Sequence, residues 1–253
     1  MVSIITPVFN ASSYIAQNIE SVKNQTFIDY EHILIDDCST DNTIEIIEEY
    51  IKDDSRIKLV RSKKNGGAGI CRNKGIELSS KRFIAFLDSD DYWAPLKLEK
   101  QISCMLDNGY VFSCSQYYEF DNISGDTDIH VKCPEKINYK MLLKNGGFIG
   151  CLTVVYDTEK FGKRYMPEIR KRQDWALWLK MLREIDFAYG IQEPLAYYRR
   201  GNVSLSKNKV ELVKHNFNVY NKVLGMPYIE CVYRMLIFLF HHFFIKPSSK
   251  IKL

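Results

Sequence analysis

Along roughly the first hundred residues, four short β-rich runs (2–6, 31–36, Ile57–Arg61 and 83–87) alternate with four amphipathic helical ones (14–25, 43–51, 69–78 and 95–106). Strict alternation of this kind predicts an α/β fold with a mostly parallel central sheet and helices on both faces. Because crossovers between parallel strands are right-handed and ligands settle beyond the strands' carboxyl ends, the loop after each strand is where chemistry is expected. Those loops carry residues 7–10, 36–41, 64–69 and 88–91.

Past residue 106 the pattern loosens. Residues 110–120 look strand-like and 121–128 form a polar loop, so this stretch is expected to be sheet edge and loop. Helical spacing returns over 173–184, with Trp175, Trp178, Leu179 and Leu182 at i, i+3, i+4 and i+7, which puts Asp174 at or near a helix start. No internal repeat and no Gly/Ser-rich linker divides the chain. With 46% hydrophobic and 26% charged residues, neither disorder nor a multi-span membrane protein is favoured. A formal charge of +4, its basic residues mixed with acids, gives no reason to expect a nucleic-acid partner. The seven cysteines show no CxxC pair and no zinc-type spacing, so they are expected to be reduced thiols in a cytoplasmic protein. No secretion signal is visible at the start of the sequence.

Two of the four loops concentrate carboxylates. Asp88-Ser89-Asp90-Asp91 directly follows an apolar strand, and three carboxylates so placed repel one another unless solvated or shared with a cation. One or two carboxylates plus substrate phosphates is the usual way to hold Mg²⁺, and Mn²⁺ also suits oxygen ligands. The competing reading is an acidic turn that caps the next helix. In Asp36-Asp37-Cys38-Ser39-Thr40-Asp41, Thr40 or Asp41 reads as a helix N-cap, whereas a carboxylate at Asp37 is able to accept the imide N–H of a uracil ring. Asn65-Gly66-Gly67-Ala68-Gly69 opens a helix bearing Arg72 and Asn73; its glycines permit close backbone approach, and the helix start and Arg72 favour phosphate.

Taken in order, Ser3-Ile4-Ile5-Thr6-Pro7-Val8-Phe9-Asn10, Ile35-Asp36-Asp37-Cys38-Ser39-Thr40-Asp41, Asn65-Gly66-Gly67 with Arg72-Asn73, and Phe86-Leu87-Asp88-Ser89-Asp90-Asp91 resemble the successive signatures of family 2 inverting glycosyltransferases of the GT-A fold. The resemblance spans about residues 2–206. It implies a GT-A domain over 1–206 followed by a helical extension over 207–253. It also implies that Pro7, Val8 and Asp37 cradle the base, that Gly67, Arg72 and Asp88 face the ribose and diphosphate, and that Asp90, with Asp88, ligates Mn²⁺ or Mg²⁺. The family's Asp-Trp motif is matched by Gln173-Asp174-Trp175-Ala176-Leu177-Trp178, which makes Asp174 the expected catalytic base and Trp175 either a platform for the acceptor sugar or a core residue. An inverting transfer needs such a base within hydrogen-bond reach of the acceptor hydroxyl, on the face opposite the departing diphosphate. Tyr198-Arg199-Arg200-Gly201-Asn202-Val203-Ser204-Leu205-Ser206 is similar to the family's late segment, with Gly201 where many members have His; Arg199, Ser204 and Ser206 are candidates for phosphate or acceptor contacts.

The resemblance implies a UDP-sugar donor, with dTDP and GDP as open alternatives, and a lipid-linked saccharide acceptor in surface polysaccharide assembly. Residues 228–245 are apolar and aromatic but interrupted by Glu230, Arg234, His241 and His242, short of the roughly 20 mostly apolar residues of a spanning helix. They are expected to form a helix that lies in a membrane interface, packs on the core or joins a homodimer; Lys246, Lys250 and Lys252 point to an anionic surface, giving a peripheral protein on the inner face of the membrane. Two other functions stay open. A nucleotidyltransferase of the same fold would need a Gly/Arg/Lys-rich loop after the first strand, which is absent; a catalytically silent glycan- or nucleotide-binding subunit would keep the pocket and lose the chemistry.

Overall fold

The computed structural model describes residues 1–121, 127–144, 146–200, 209–241 and 250–252, and of 127, 128 and 209–212 only the backbone. The first half follows the expected alternation. Strands β1 (Val2–Val8), β2 (Tyr30–Asp36), β3 (Ile57–Arg61) and β4 (Phe83–Phe86) are separated by helices α1 (Ile15–Lys23), α2 (Thr43–Asp53) and α3 (Ala68–Leu78). All four strands run parallel in the order β3-β2-β1-β4. Their residues are mostly buried on both faces, as fully covered parallel strands require. Helix α1 buries Ile15, Ile19 and Val22, one stripe at helical period. Helix α3 lies unusually close to the sheet: a Cβ at Gly75 would come within 2.4 Å of the Ile5 side chain.

The second half is mixed. It contains β5 (Tyr92–Trp93), α4 (Lys97–Asn108), β6 (Phe112–Asp121), β7 (Thr127–Val131), β8 (Lys136–Ile137), α5 (Tyr139–Lys144), a 3₁₀ turn (Cys151–Thr153), β9 (Val155–Asp157), α6 (Thr158–Phe161), α7 (Gln173–Met181), β10 (Ala188–Arg200), α8 (Lys209–Asn218), a π turn (Val219–Val223), α9 (Tyr228–Phe240) and β11 (Lys250–Lys252). Strand β9 runs antiparallel to β4, and β6 antiparallel to β9, carrying the sheet on to β7 and β11.

The expectation of a sheet edge around residue 110 is corrected. Strand β6 is interior, paired with β9, with β7 and, along most of its length, in parallel with β10. Its polar residues concealed this, because Ser113, Ser115 and Gln116 are buried, Ser113 hydrogen-bonded to Gln101 of α4 and the other two within the sheet. Strand β10 was not expected either; Pro194, which cannot donate to a ladder, falls where its register with β6 shifts.

Helix α7 is driven into the core rather than laid on it. Trp178 packs at 5.7 Å from the Phe86 ring and 5.4 Å from the Phe112 ring, tying α7 to β4 and β6, and of residues 175–181 only Lys180 is exposed.

His32, fully buried in β2, contacts Thr6 Oγ1 through Nε2 at 2.9 Å, and burial holds its ring down at about 3. The unfolded chain takes up this proton near the ordinary histidine value of about 6.5 and the folded chain does not. Folding stability tied to His32 is therefore complete above pH 6.5 and lost as pH falls toward 3. Urea unfolding followed between pH 6 and 5 should show a loss of about 1.4 kcal/mol per pH unit from this residue, a slope missing in His32→Gln.

Candidate active site

The carboxyl ends of β1, β2 and β4 and the start of α3 enclose a cleft of about 400 Å³. Of the residues expected at the site, Pro7, Val8, Asp37, Arg72, Asp88 and Asp90 all line it, joined by Phe9, Asn10, Tyr14 and Cys71. The strand spacing brings them together, since β1 lies between β2 and β4 and their terminal loops must adjoin.

At the β2 end, Asp37 is almost fully buried and organises the glycine loop. Its backbone N–H donates to Val8 O at 2.8 Å, and its two carboxylate oxygens accept the N–H groups of Gly66 and Gly67 at 2.8 and 2.7 Å. Gly67 has φ +82°, a left-handed value that favours glycine, and directly precedes α3. Each Asp37 oxygen keeps a second lone pair for another donor. The helix that follows β2 starts at Thr43, with Asn42 at the N-cap position; Asp41 instead accepts the N–H groups of Thr43 and Ser12.

At the β4 end the three carboxylates take three different places. Asp88 is paired with Arg72, a residue only 7% exposed. Burial works against the Arg72 charge, but Asp88 foremost, then Cys151 and Asp174, hold it firmly protonated. The buried Arg72 Nε has no partner among the described residues, leaving a donor in the cleft wall. Asp90 is exposed to the cleft; desolvation by the protein on its inner side, and then the Asp88 charge, raise its carboxyl above the ordinary range.

Asp91 turns inward. It is 2% exposed, and burial, then the Asp90 and Asp88 charges, push it well above the carboxylate range. One of its oxygens accepts the Arg199 N–H at 2.9 Å. Asn18, on the buried face of α1, completes the hold by donating to the carbonyls of Asp88 and Asp91, both at 2.9 Å. A polar residue at a buried helical position was the sequence signal for Asn18, and it was missed.

Asp174 occupies the first turn of α7 and is not its N-cap. That position belongs to Arg172, at φ +66° and with no side-chain cap. The neighbouring Gln173 amide sits where a Cβ on Gly69 would fall, 2.4 Å away, so α7 begins against the first turn of α3. The buried Cys151 thiol, raised first by burial, also feels Arg72, Asp88, Asp174 and Asp91.

Trp175 takes the core alternative. It is 2% exposed, donates from Nε1 to Leu142 O at 3.0 Å and packs on Tyr220 and Phe238 at 5.6 and 5.9 Å, so it offers no ring face to a sugar. Arg199 clasps the acidic loop. Its Nε donates to Asp90 O at 2.8 Å, and its guanidinium lies between the rings of Tyr14 and Phe120 at 4.6 and 4.5 Å. The late arrival of β10 beside the Asp88–Asp91 loop, invisible in the sequence, explains this. Gly201, Ser204 and Ser206 lie outside the described residues.

No group of three or more His, Cys, Asp or Glu side chains able to hold a metal occurs among the described residues. The pair of carboxylates at the cleft, Asp88 and Asp90, nevertheless fits a hard divalent cation whose remaining ligands are phosphate and water.

Residues 3–164 match glycosyl transferase family 2. The chain is 41% identical over 233 residues to a Bacillus subtilis (strain 168) protein named for teichuronic acid biosynthesis, the glycosyltransferase TuaG, with 92% of each chain covered. It is 38% identical over 235 residues to the Escherichia coli UDP-Glc:alpha-D-GlcNAc-diphosphoundecaprenol beta-1,3-glucosyltransferase WfgD, covering 92% of this chain and 90% of that one. Its fold resembles that of S. aureus TarS 1-349 in complex with UDP-GlcNAc, with a TM-score of 0.73 at 20% identity, over 98% of this chain and 74% of that chain. The residues that line the cleft all fall within the matched segment, and the chain belongs to glycosyl transferase family 2.

Proposed function

We propose that the protein transfers one sugar from a UDP-sugar, with inversion, to a hydroxyl of a lipid-linked glycan during surface polysaccharide biosynthesis. The observation that carries this reading is the one cleft in which Asp37, the Arg72–Asp88 pair and Asp90 follow one another, with the Asp174 charge felt by Arg72. The relatives' names, teichuronic acid biosynthesis and a diphosphoundecaprenol-linked acceptor, support the pathway and the acceptor class; the UDP-GlcNAc-bound structural neighbour supports the donor.

In this reading the uracil enters between Pro7, Val8 and Asp37, whose free lone pair accepts the imide N–H. Arg72 directs its unpartnered Nε–H at a phosphate oxygen. Mn²⁺ or Mg²⁺ would be held by Asp90 with Asp88 and would neutralise charge on the departing diphosphate. Magnitudes favour that role: two unit charges about 4 Å apart interact by roughly 4 kcal/mol at an effective dielectric near 20. A helix terminus contributes only about 0.3–1 kcal/mol. Asp174 accepts the acceptor's hydroxyl proton as the new C–O bond forms at the anomeric carbon and the bond to the diphosphate oxygen breaks.

The C-terminal helix gives this activity a place to work, peripheral on the inner, cytoplasmic face of the membrane. In α9, Cys231, Met235 and Phe238 face the core while Ile229, Tyr233, Leu236 and Phe240 are exposed. No helix among the described residues is long and apolar enough to cross a membrane. An outward apolar face of this kind, near Lys250 and Lys252 in sequence, suits contact with an anionic lipid surface.

The test is a thermal-stability series with nucleotide sugars, with and without Mn²⁺. A ligand at 100 times its Kd adds about 2.7 kcal/mol, which for a chain of this size raises Tm by about 5–10 °C. UDP-sugars with metal should give that rise and chelator should remove it. Absence of a shift with every UDP-sugar would sink the reading, and a shift with GDP- or dTDP-sugars alone would reassign the base.

A further inference from the structure

Residues 162–172 join α6 to α7 and end in Arg170-Lys171-Arg172, so that two arginines stand just before Asp174. Arg56, Arg72, Arg82, Arg164 and Arg234 each have a carboxylate partner. The side chains of Arg170 and Arg172, by contrast, make no ion pair and no hydrogen bond among the described residues. Arg170 is exposed, whereas Arg172 is half-buried, at φ +66°, with its guanidinium 5.9 Å over the Trp175 ring. A half-buried cation without a hydrogen-bonded partner is costly, and a guanidinium fork matches phosphate oxygens bidentately.

We infer that Arg170 and Arg172 bind the diphosphate of the lipid-linked acceptor, on the side of Asp174 away from the donor. Position supports that choice of diphosphate. Arg72, on the donor side, feels both Asp88 and Asp174, while Arg172 feels Asp174 and Tyr220 and neither cleft carboxylate. Arg172 sits at the N-cap of α7, two residues before Asp174, with its guanidinium over Trp175, whereas Arg72 stands on α3 in the cleft wall. An inverting displacement brings its nucleophile in opposite the leaving diphosphate, which is the Arg172 side. Trp175, beneath the Arg172 guanidinium, packs on the buried face of α9 through Phe238, and the outward face of that helix, with Ile229, Tyr233, Leu236 and Phe240 exposed, offers apolar surface for a polyprenyl chain. The inference rests on the lipid-linked acceptor proposed above and adds the residues that would recognise its charged link.

The test titrates farnesyl diphosphate and farnesol onto the full-length protein saturated with UDP. The diphosphate should bind at least tenfold more tightly than the alcohol. Arg170→Gln with Arg172→Gln should weaken the diphosphate tenfold or more and move farnesol less than twofold, and Arg172→Lys should restore part of the loss. Arg170→Gln, at an exposed position, carries the test alone if the double variant does not fold. Equal binding of diphosphate and alcohol, indifference to the arginines, or displacement of farnesyl diphosphate by UDP would overturn the inference. Arginine-dependent diphosphate binding in a protein that neither hydrolyses nor transfers from any UDP-sugar would instead overturn the proposed function and leave this site standing.

Discussion

Asp174→Asn should lower the rate of sugar transfer by about 10²–10⁴-fold while UDP-sugar binding persists. Asparagine keeps the shape of the side chain and cannot take a proton. The fold should be indifferent to the change, because Asp174 is half-buried and is not the residue that caps α7. On the proposed mechanism, what is lost is the group that accepts the hydroxyl proton as the alcohol becomes a nucleophile. The measurement is single-turnover transfer beside donor affinity by titration. A variant that transfers at the parent rate would remove Asp174 from the chemistry, and one that loses donor binding in step with transfer would make it part of the donor pocket.

Asp90→Ala should abolish detectable transfer, a fall of at least about 10³-fold if the metal is the main electrostatic stabiliser of the leaving group. Of the three acids in its loop it is the one whose side chain is exposed at the cleft. Asp88 is matched by Arg72, and Asp91 is buried with one oxygen on the Arg199 amide. Removing Asp90 also relieves repulsion, so urea unfolding should show stability equal to or slightly above that of the parent. Full activity of the parent in the presence of chelator, or of Asp90→Ala with metal, would contradict this assignment.

The first half of the molecule was legible because its strands are buried on both faces and its helices on one, leaving apolar runs and stripes that differ in period. Ile57–Arg61 falls where the pattern placed it, and β1 and β2 run only one or two residues longer. The loops were legible for the same reason, since parallel topology leaves few arrangements for strand ends. Beyond residue 106 the signals failed for physical causes. Strand β6 buries serines and a glutamine that hydrogen-bond to α4 or within the sheet, so polarity stopped marking the surface. Trp175 looked like a platform from its place in a motif, but its burial depends on α9, about fifty residues on. Carboxylates in one loop cannot be told apart by spacing: that Asp90 faces the cleft and Asp91 the interior is decided by Asn18 from an earlier helix and Arg199 from a later strand.

The grip of Arg199 on the Asp88–Asp91 loop bears on how the molecule matures during synthesis. The parallel layers β3-β2-β1-β4 are complete once residue 86 has emerged, and the nucleotide-facing wall can assemble then. The acidic turn, however, awaits a backbone amide and a guanidinium encoded 108 and 109 positions downstream. A nascent or truncated chain ending before that point would lack both holds on the turn, so under the proposed function competence for metal and transfer would arrive only when the last long strand docks. Such an order would keep an incomplete chain from consuming activated sugar.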